Sequence, residues 1–455
     1  MSDLRSQGAA RAALLLGAAL VVMGAIAVTW VANRGSDTAP GEGAPRVVIV
    51  GIDGLDWDIL RSAVGEGMMP NVERMMREGA SGELRSIPPF VSPSIWTTIA
   101  TGKREEKHGI HGFLVDRGKT ADSTPTSSNM RQAKALWQIA TERGLSAGFV
   151  SWLVTWPAEA VNGYMVSSNL DQLLAFEDSP AAGTMHGRLA AAAYPSELVD
   201  DLPGFRVKPE SLPEESVTAL LGTTEHLDDP RVAAGVTELR RILAADATVR
   251  TLAEHLVRSV PTDVAGAYFR GVDLACHLYW RYREPEEWPG ELSLAEREAF
   301  GPVVERSYSV ADSIVGTMTR AAGPGAVVIV CSDHGFAGHG RRPAEGGAPA
   351  MGTAMHRASG IVLMAGPGIR PGAALEGATV LDVTPTVLAI LGLPVGRDMD
   401  GRVLTEALTE QTLAARPVSF VETYEGGGPS GTSEPVASPV DDEIKERLRS
   451  LGYIE

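Results

Sequence analysis

The chain has 455 residues, 44% apolar and 21% charged, the make-up of a globular protein that buries a large core rather than of a disordered or fibrous one. Its formal net charge of −17 excludes the basic surface that drives nonspecific nucleic-acid binding, so no nucleic-acid polymer is expected as a partner. The two cysteines, Cys276 and Cys331, each lie in or beside an apolar run and read as small core residues, not as a disulfide framework.

Residues 1–11 are polar and carry Arg5 and Arg11. Residues 12–32 then run without a charge, long enough at about 1.5 Å per residue to cross a hydrocarbon core of about 30 Å. The run exceeds a usual signal-peptide core and no convincing cleavage site follows, so it reads as a transmembrane signal anchor. The Lys/Arg bias puts 1–11 in the cytoplasm and the bulk of the chain in the periplasm or outside the cell. Residues 33–45 form a Gly/Pro-rich linker.

The first strand is 46–51 (RVVIVG), and Asp53 follows it directly within IDGLD (52–56). Residues 70–79 (PNVERMMREG) read as a helix closed by glycine. In 88–102 (PPFVSPSIWTTIATG) the prolines place Ser92 at the N-cap of a helix from 93 to about 100. A serine there lies in the positive field of the helix terminus, although the plainer reading is a capping residue. Lys103 opens a polar loop, and a helix at 134–144 leads to a strand at 146–152.

From 157 to 261 the sequence is Ala-rich, acidic and broken by prolines, with helical stretches at 188–193, 213–221 and 232–260. It is expected to be a mostly helical insertion that covers the site. Strand character returns at 263–269, followed by Asp273 and His277. A long helix is expected over 296–322. The run 327–330 (VVIV) has the pattern of a strand buried on both faces, and it stops at Ser332-Asp333-His334-Gly335. A Gly/Pro/Arg-rich loop with His339, Arg341 and Arg342 leads to His356. A strand at 360–366 and a helix at 381–391 complete the alternation. Residues 406–455 are polar, with a short helix at 441–451, and read as a docking tail or a linker.

Strands alternating with helices predict a three-layer α/β/α sandwich around a mainly parallel sheet. In such sheets ligands bind at the carboxyl edge of the strands. Asp53, Ser92, Asp273, His277, Asp333, His334 and His356 all fall just after strands or close to them in this reading. Taken singly, Asp53 is a turn former and His277 a core histidine. Asp273 and His277 are four apart, which on a helical turn puts both on one face. Six carboxylate and imidazole groups are enough for two divalent ions about 3.5–4 Å apart, and a serine hydroxyl beside them would be activated as a nucleophile. Phosphoryl transfer asks for just such positioning and charge neutralisation. His339 reads as a loop histidine, since six other ligands already serve two sites.

The blocks 52–56 (IDGLD), 70–80 (PNVERMMREGA), 90–110 (FVSPSIWTTIATGKREEKHGI), 273–277 (DLACH), 332–336 (SDHGF), 355–369 (MHRASGIVLMAGPGI) and 381–404 resemble, in order and context, the alkaline phosphatase superfamily. They are nearest to its type I phosphodiesterase/nucleotide pyrophosphatase branch. The resemblance implies an alkaline phosphatase-like fold with the catalytic domain at 46–156 and 262–405. It implies one ion on Asp273, His277 and His356 and another on Asp53, Asp333 and His334. The ions are commonly zinc, and manganese suits the same donors. Ser92, rather than Ser94, would be the nucleophile of a phosphoryl-enzyme intermediate. The branch carries an Asn after the HGI element, where this chain has Phe113. The sulfatase pattern fails, because no Arg follows Ser92-Pro93-Ser94.

These readings converge on a membrane-anchored hydrolase of phosphate esters, with phosphodiesters or nucleotide pyrophosphates as substrates. A phosphomonoesterase would need extra cations, for which Lys103, Arg341 and Arg342 are candidates. A phosphotransferase acting on a lipid or glycan head group shares the same first half-reaction. A non-catalytic metal-stabilised protein would be expected to lack ligands, and none is missing here.

Overall fold

A computed structural model describes residues 44–115, 123–175, 189–287, 292–337, 352–426, 431–432 and 434–454. The expected anchor at 12–32 and residues His339, Arg341 and Arg342 lie outside that set. Among the described residues no helix is long and apolar enough to cross a membrane.

One sheet organises the molecule. Its strands are β1 (Arg46–Ile52), β2 (Ala80–Arg85), β3 (Ala147–Val150), β4 (Gly163–Val166), β5 (Ala193–Tyr194), β6 (Val264–Phe269), β7 (Ala326–Cys331), β8 (Ser359–Ala365) and β9 (Ala373–Ala374). Their order is β9-β2-β8-β7-β1-β6-β3-β4-β5. The run β7-β1-β6-β3-β4 is parallel, whereas β8 lies antiparallel to both β7 and β2. β6 and β7 are buried at every position and β1 at every position after Arg46, as continuous apolar runs require in a sheet covered on both faces.

The outer layers are built by α1 (Trp57–Gly65), α2 (Pro70–Glu78), α3 (Ser92–Thr101), α4 (Leu136–Glu142), α5 (Pro230–Ser259), α6 (Gly271–Arg283), α7 (Val303–Ala322) and α8 (Val383–Ile390); α9 (Asp441–Ser450) follows near the C-terminal side. Alternation along β1 sends Val48, Val50 and Ile52 into one core with α1, α2, α5, α6 and α7. Val47 and Ile49 face the other core, with α3, α4 and α8. Each fully buried valine or isoleucine of this kind contributes about 1.5–3 kcal/mol.

Two expectations need correction. The described residues of 157–261 are largely helical, but the segment is not separate from the sheet: β4 and β5 extend it, and Ala193, expected to end a helix, is strand. Its long helix α5 packs on β6 and α7 as part of the core layer. The helix expected over 296–322 is two helices, Leu294–Phe300 and α7, separated at Gly301-Pro302 because proline has no N–H to continue the first. Within 406–455, Val440 and Leu451, which flank α9, are buried in the first core.

Candidate active site

The sheet register assembles the site. β1 pairs with β6 so that Ile52 meets Phe269, and with β7 so that Gly51 meets Cys331. Three parallel strands thus run out side by side, and Asp53, Asp273, Asp333 and His334 follow them at one edge. Gly54 lets these ends close up. Its φ is +75°, and a Cβ there would sit 2.9 Å from the Asp273 Cα and from the Phe336 ring.

α6 carries Asp273 and His277 on one face, with Asp273 Oδ1 3.3 Å from His277 Nε2. Its N-terminus is tied to α5, because Asp246 accepts hydrogen bonds from the N–H groups of Arg270 (3.2 Å) and Gly271 (3.1 Å). His356 brings its Nε2 to 3.0 Å from His277 Nε2 and 3.6 Å from Asp273 Oδ1. Its Nδ1–H donates to the Phe90 carbonyl at 2.8 Å, which fixes the tautomer and leaves Nε2 as a donor atom for a metal. His334 Nε2 lies 3.2 Å from Asp53 Oδ1, 3.5 Å from Asp333 Oδ2 and 3.9 Å from Asp273 Oδ1. Its ring stacks on that of His356 at 3.6 Å.

All six expected ligands therefore meet. Two tight groups of donor atoms emerge, Asp273–His277–His356 and Asp53–Asp273–His334. The second differs from the expected set: Asp273 stands between the two groups, and Asp333 approaches the second from its flank, where its Oδ1 also faces the Gly54 N–H at 3.5 Å.

The chemistry of the donors fits divalent ions. Asp53, Asp273 and Asp333 are buried, and each keeps one carboxylate oxygen with no hydrogen-bond partner: Asp53 Oδ1, Asp273 Oδ1 and Asp333 Oδ2. Orphaned buried acceptors cost about 1–3 kcal/mol each unless something positive meets them. Burial and the neighbouring Asp53 carboxylate push the Asp333 carboxyl well up. Burial also opposes ionisation of Asp273, but the His277 and His356 imidazoles outweigh it and hold that carboxyl low. Burial and then His356 lower the His334 imidazole, keeping it neutral with a free lone pair. An all-N/O set of this kind suits zinc or manganese.

Ser92 is the first residue of α3, and Val91, not Ser92, occupies the N-cap. The Ser92 hydroxyl makes no capping bond; its Oγ stands 3.4 Å from His334 Nε2. Ser94 is turned elsewhere and donates to Glu105 Oε2 at 3.0 Å. Lys103, a candidate extra cation for a monoesterase, is placed elsewhere. Lys103 is buried, and its Nζ donates to Asp398 (2.6 Å) and Glu425 (2.8 Å), away from the donor groups.

Sequence reasoning missed the groups that hold Asp53. Tyr268 OH donates to Asp53 Oδ2 at 2.6 Å and Trp96 Nε1 donates to the same oxygen at 3.2 Å. A signal existed for Tyr268, which sits in the last turnout of β6 before Asp273. Tyr453 was missed outright. Its hydroxyl lies 2.6 Å from His277 Nε2, and nothing in a polar segment pointed to it. A cavity of about 90 Å³ opens over Asp53, Ser92 and Asp273, walled by Phe113, Tyr268, Arg270, Arg447 and Tyr453.

A family model described as type I phosphodiesterase / nucleotide pyrophosphatase matches residues 47–343. No curated protein sequence gives a significant match. Among solved structures, a 2-O GAG sulfatase is similar over 84% of this chain and 76% of its own, at 11% identity and a TM-score of 0.50. An alkaline phosphatase PafA mutant matches 82% of this chain and 100% of its own, at 12% identity and a TM-score of 0.47. Murine ectonucleotide pyrophosphatase / phosphodiesterase 5 with AMP matches 77% of this chain and 95% of its own, at 13% identity and a TM-score of 0.42. At 11% identity the likeness to the sulfatase speaks to fold alone.

Proposed function

Since the chain belongs to the type I phosphodiesterase / nucleotide pyrophosphatase family and is a hydrolase of phosphate esters, we propose that it cleaves phosphodiesters or nucleotide pyrophosphates with Ser92 as nucleophile. The observation that carries this reading is the Ser92 hydroxyl, which leaves α3 uncapped and faces His334 across 3.4 Å. Asp273, His277 and His356 would hold one divalent ion, and Asp53, Asp333 and His334 another, with Asp273 within reach of both. When bound, such ions supply Lewis-acid charge to the phosphoryl oxygens and acidify the serine hydroxyl.

The chain's own residues do the rest. Ser92 Oγ forms the new bond to phosphorus while the ester bond to the leaving oxygen breaks and that oxygen takes the proton; water then cleaves the bond between Oγ and phosphorus, releasing the phosphate monoester and restoring the serine. Pro93 has no N–H and those of Ser94 and Ile95 bond the Val91 carbonyl, so the Ser92 N–H and the positive end of α3 stabilise the negative charge that develops beside Ser92. Tyr268 and Trp96 aim Asp53 through two donated hydrogen bonds to one oxygen. The Phe90 carbonyl fixes His356. Phe113 adds apolar surface where the family pattern has an amide side chain, so charge stabilisation falls to α3. Residues 12–32 would anchor the chain, with the hydrolase on the periplasmic or extracellular side.

The test compares a nitrophenyl phosphodiester with the monoester, with zinc and after chelation, in the wild-type chain and in Ser92→Ala. Chelator-sensitive diester cleavage that Ser92→Ala lowers at least about a thousandfold is the expected result. A preference for the monoester would overturn the substrate class, and full activity in Ser92→Ala would overturn the nucleophile.

A further inference from the structure

We propose that Tyr453 is the fourth donor of the Asp273–His277–His356 group, so that α9 and the residues after it complete a metal position that the family's ligands leave open. The inference rests on the reading of that group as a metal site. Tyr453 Oη lies 2.6 Å from His277 Nε2, 3.3 Å from His356 Nε2 and 3.4 Å from Asp273 Oδ2. The other three donors stand 3.0 to 3.6 Å from one another. Four nitrogen and oxygen donors bound tetrahedrally at about 2.0–2.1 Å have neighbours about 3.3–3.4 Å apart. The phenol oxygen stands at about that spacing from His356 Nε2 and from Asp273, the latter through Oδ2 rather than the Oδ1 that faces the imidazoles, and closer than that to His277 Nε2, from which an ion would part it.

Hydrogen bonding accounts for only part of this placement. The phenol can donate to the Asp273 carboxylate and accept from a His277 Nε2–H, but His356, whose proton lies on Nδ1, meets it lone pair to lone pair at Nε2.

The segment that delivers Tyr453 is fastened on several sides. Val440, Leu448 and Leu451 are buried. Arg447 Nη1 pairs with Glu238 of α5 at 2.6 Å. After α9 the chain folds back, with the Gly452 N–H donating to the Arg449 carbonyl (3.0 Å) and the Tyr453 N–H to the Leu448 carbonyl (2.9 Å). Gly352, just before His356, receives this turn. Its φ is +59°, and a Cβ there would meet the Gly452 carbonyl oxygen at 2.5 Å. The phenol ring packs on Phe113 with centroids 4.7 Å apart. Its position is thus set by packing, independently of the contacts its hydroxyl makes.

A catalytic ion with three protein donors keeps its fourth place for water or substrate. In this chain that place is taken by a side chain, which a substrate oxygen has to displace.

The experiment is zinc binding to the full chain by competition with a chromophoric chelator, in wild type, Tyr453→Phe and Tyr453→Ala, with thermal melts of each in chelator. Wild type should bind two ions. Both variants should lose at least about tenfold in the affinity of one ion and keep the other, the lower end of the loss seen when a supporting group around a metal is removed. The Tyr453→Phe melt in chelator should match wild type, because the oxygen and not the fold is what the ion lost, whereas Tyr453→Ala also loses the ring that packs on Phe113 and should melt early. Unchanged affinities for both ions in Tyr453→Phe would overturn the proposal while leaving the two-metal reading intact. A Tyr453→Phe chain that melts early in chelator would make the hydroxyl a structural group and overturn it as well. A wild-type chain that binds no divalent ion would overturn the site reading and this inference together.

Discussion

Replacing Asp246 by Asn should change how stability depends on pH, and the structure sets the size of the change. Asp246 is 6% exposed and accepts the N–H groups of Arg270 and Gly271 at the start of the helix that carries Asp273 and His277. Burial raises its carboxyl to about 7 from an ordinary value of 3.8, and it prevails over the opposing pull of Arg270 and of the two N–H bonds. The folded state therefore holds the Asp246 proton more tightly than the unfolded chain does. The resulting stabilisation is complete below about pH 4 and is lost as the pH rises through about 7. At about 1.4 kcal/mol per unit the whole effect is on the order of 4 kcal/mol, of which about 2–3 kcal/mol falls between pH 5 and pH 8. Urea unfolding followed by tryptophan fluorescence, in chelator so that metal release plays no part, measures it at those two values. Wild type should lose more stability than Asp246→Asn on going from pH 5 to pH 8, by roughly that 2–3 kcal/mol. Parallel losses in the two proteins would show that Asp246 ionises normally and refute the reasoning.

Tyr268→Phe removes a donor from Asp53 and should weaken zinc binding by about 10–100-fold in chelator competition; an unchanged affinity would reduce Tyr268 to a packing role. Gly54→Ala drives a Cβ against the Asp273 backbone at a positive φ, and should destabilise the chain by about 1–3 kcal/mol or more and loosen zinc, read by melts with and without metal. Lys103→Met strands Asp398 and Glu425 and should cost about 3 kcal/mol, while kcat/KM of the folded enzyme stays at the wild-type value. A fall in kcat/KM at full stability would return Lys103 to the site.

Three of the six ligands were legible for one physical reason. An acid or imidazole that directly follows a fully apolar strand must emerge at the strand's carboxyl edge, and parallel register then brings all such edges together. Asp53, Asp333 and His334 are of this kind, and the four-residue spacing of Asp273 and His277 needed only a helix turn. What stayed hidden depended on partners remote in sequence. Lys103 looked like a loop cation until Asp398 and Glu425 came in to bury it. β4 and β5 are the last two strands at one end of the sheet, both short and set among polar and proline-rich sequence that gave no alternating pattern. Tyr453 lies in a stretch whose composition says solvent, and only the buried Leu448 and Leu451 reveal that it is pinned down. The break at Gly301-Pro302 was readable and was passed over in favour of continuous helical periodicity.

The pairing of β1 also sets an order of events. Ile52 has no strand neighbour until Phe269 arrives, and Gly51, paired with Tyr268 on one side, has none on the other until Cys331 does. Pairings this distant in sequence form slowly, because loop closure precedes the contacts that reward it. A chain that has closed only one of them presents one or two carboxylates, not the full set of donors. Metal uptake is therefore a late step that follows closure of the sheet. Mixing refolding chain with zinc and a coloured indicator would time the last strand entering the sheet, with a lag absent from the binding of zinc to protein already folded.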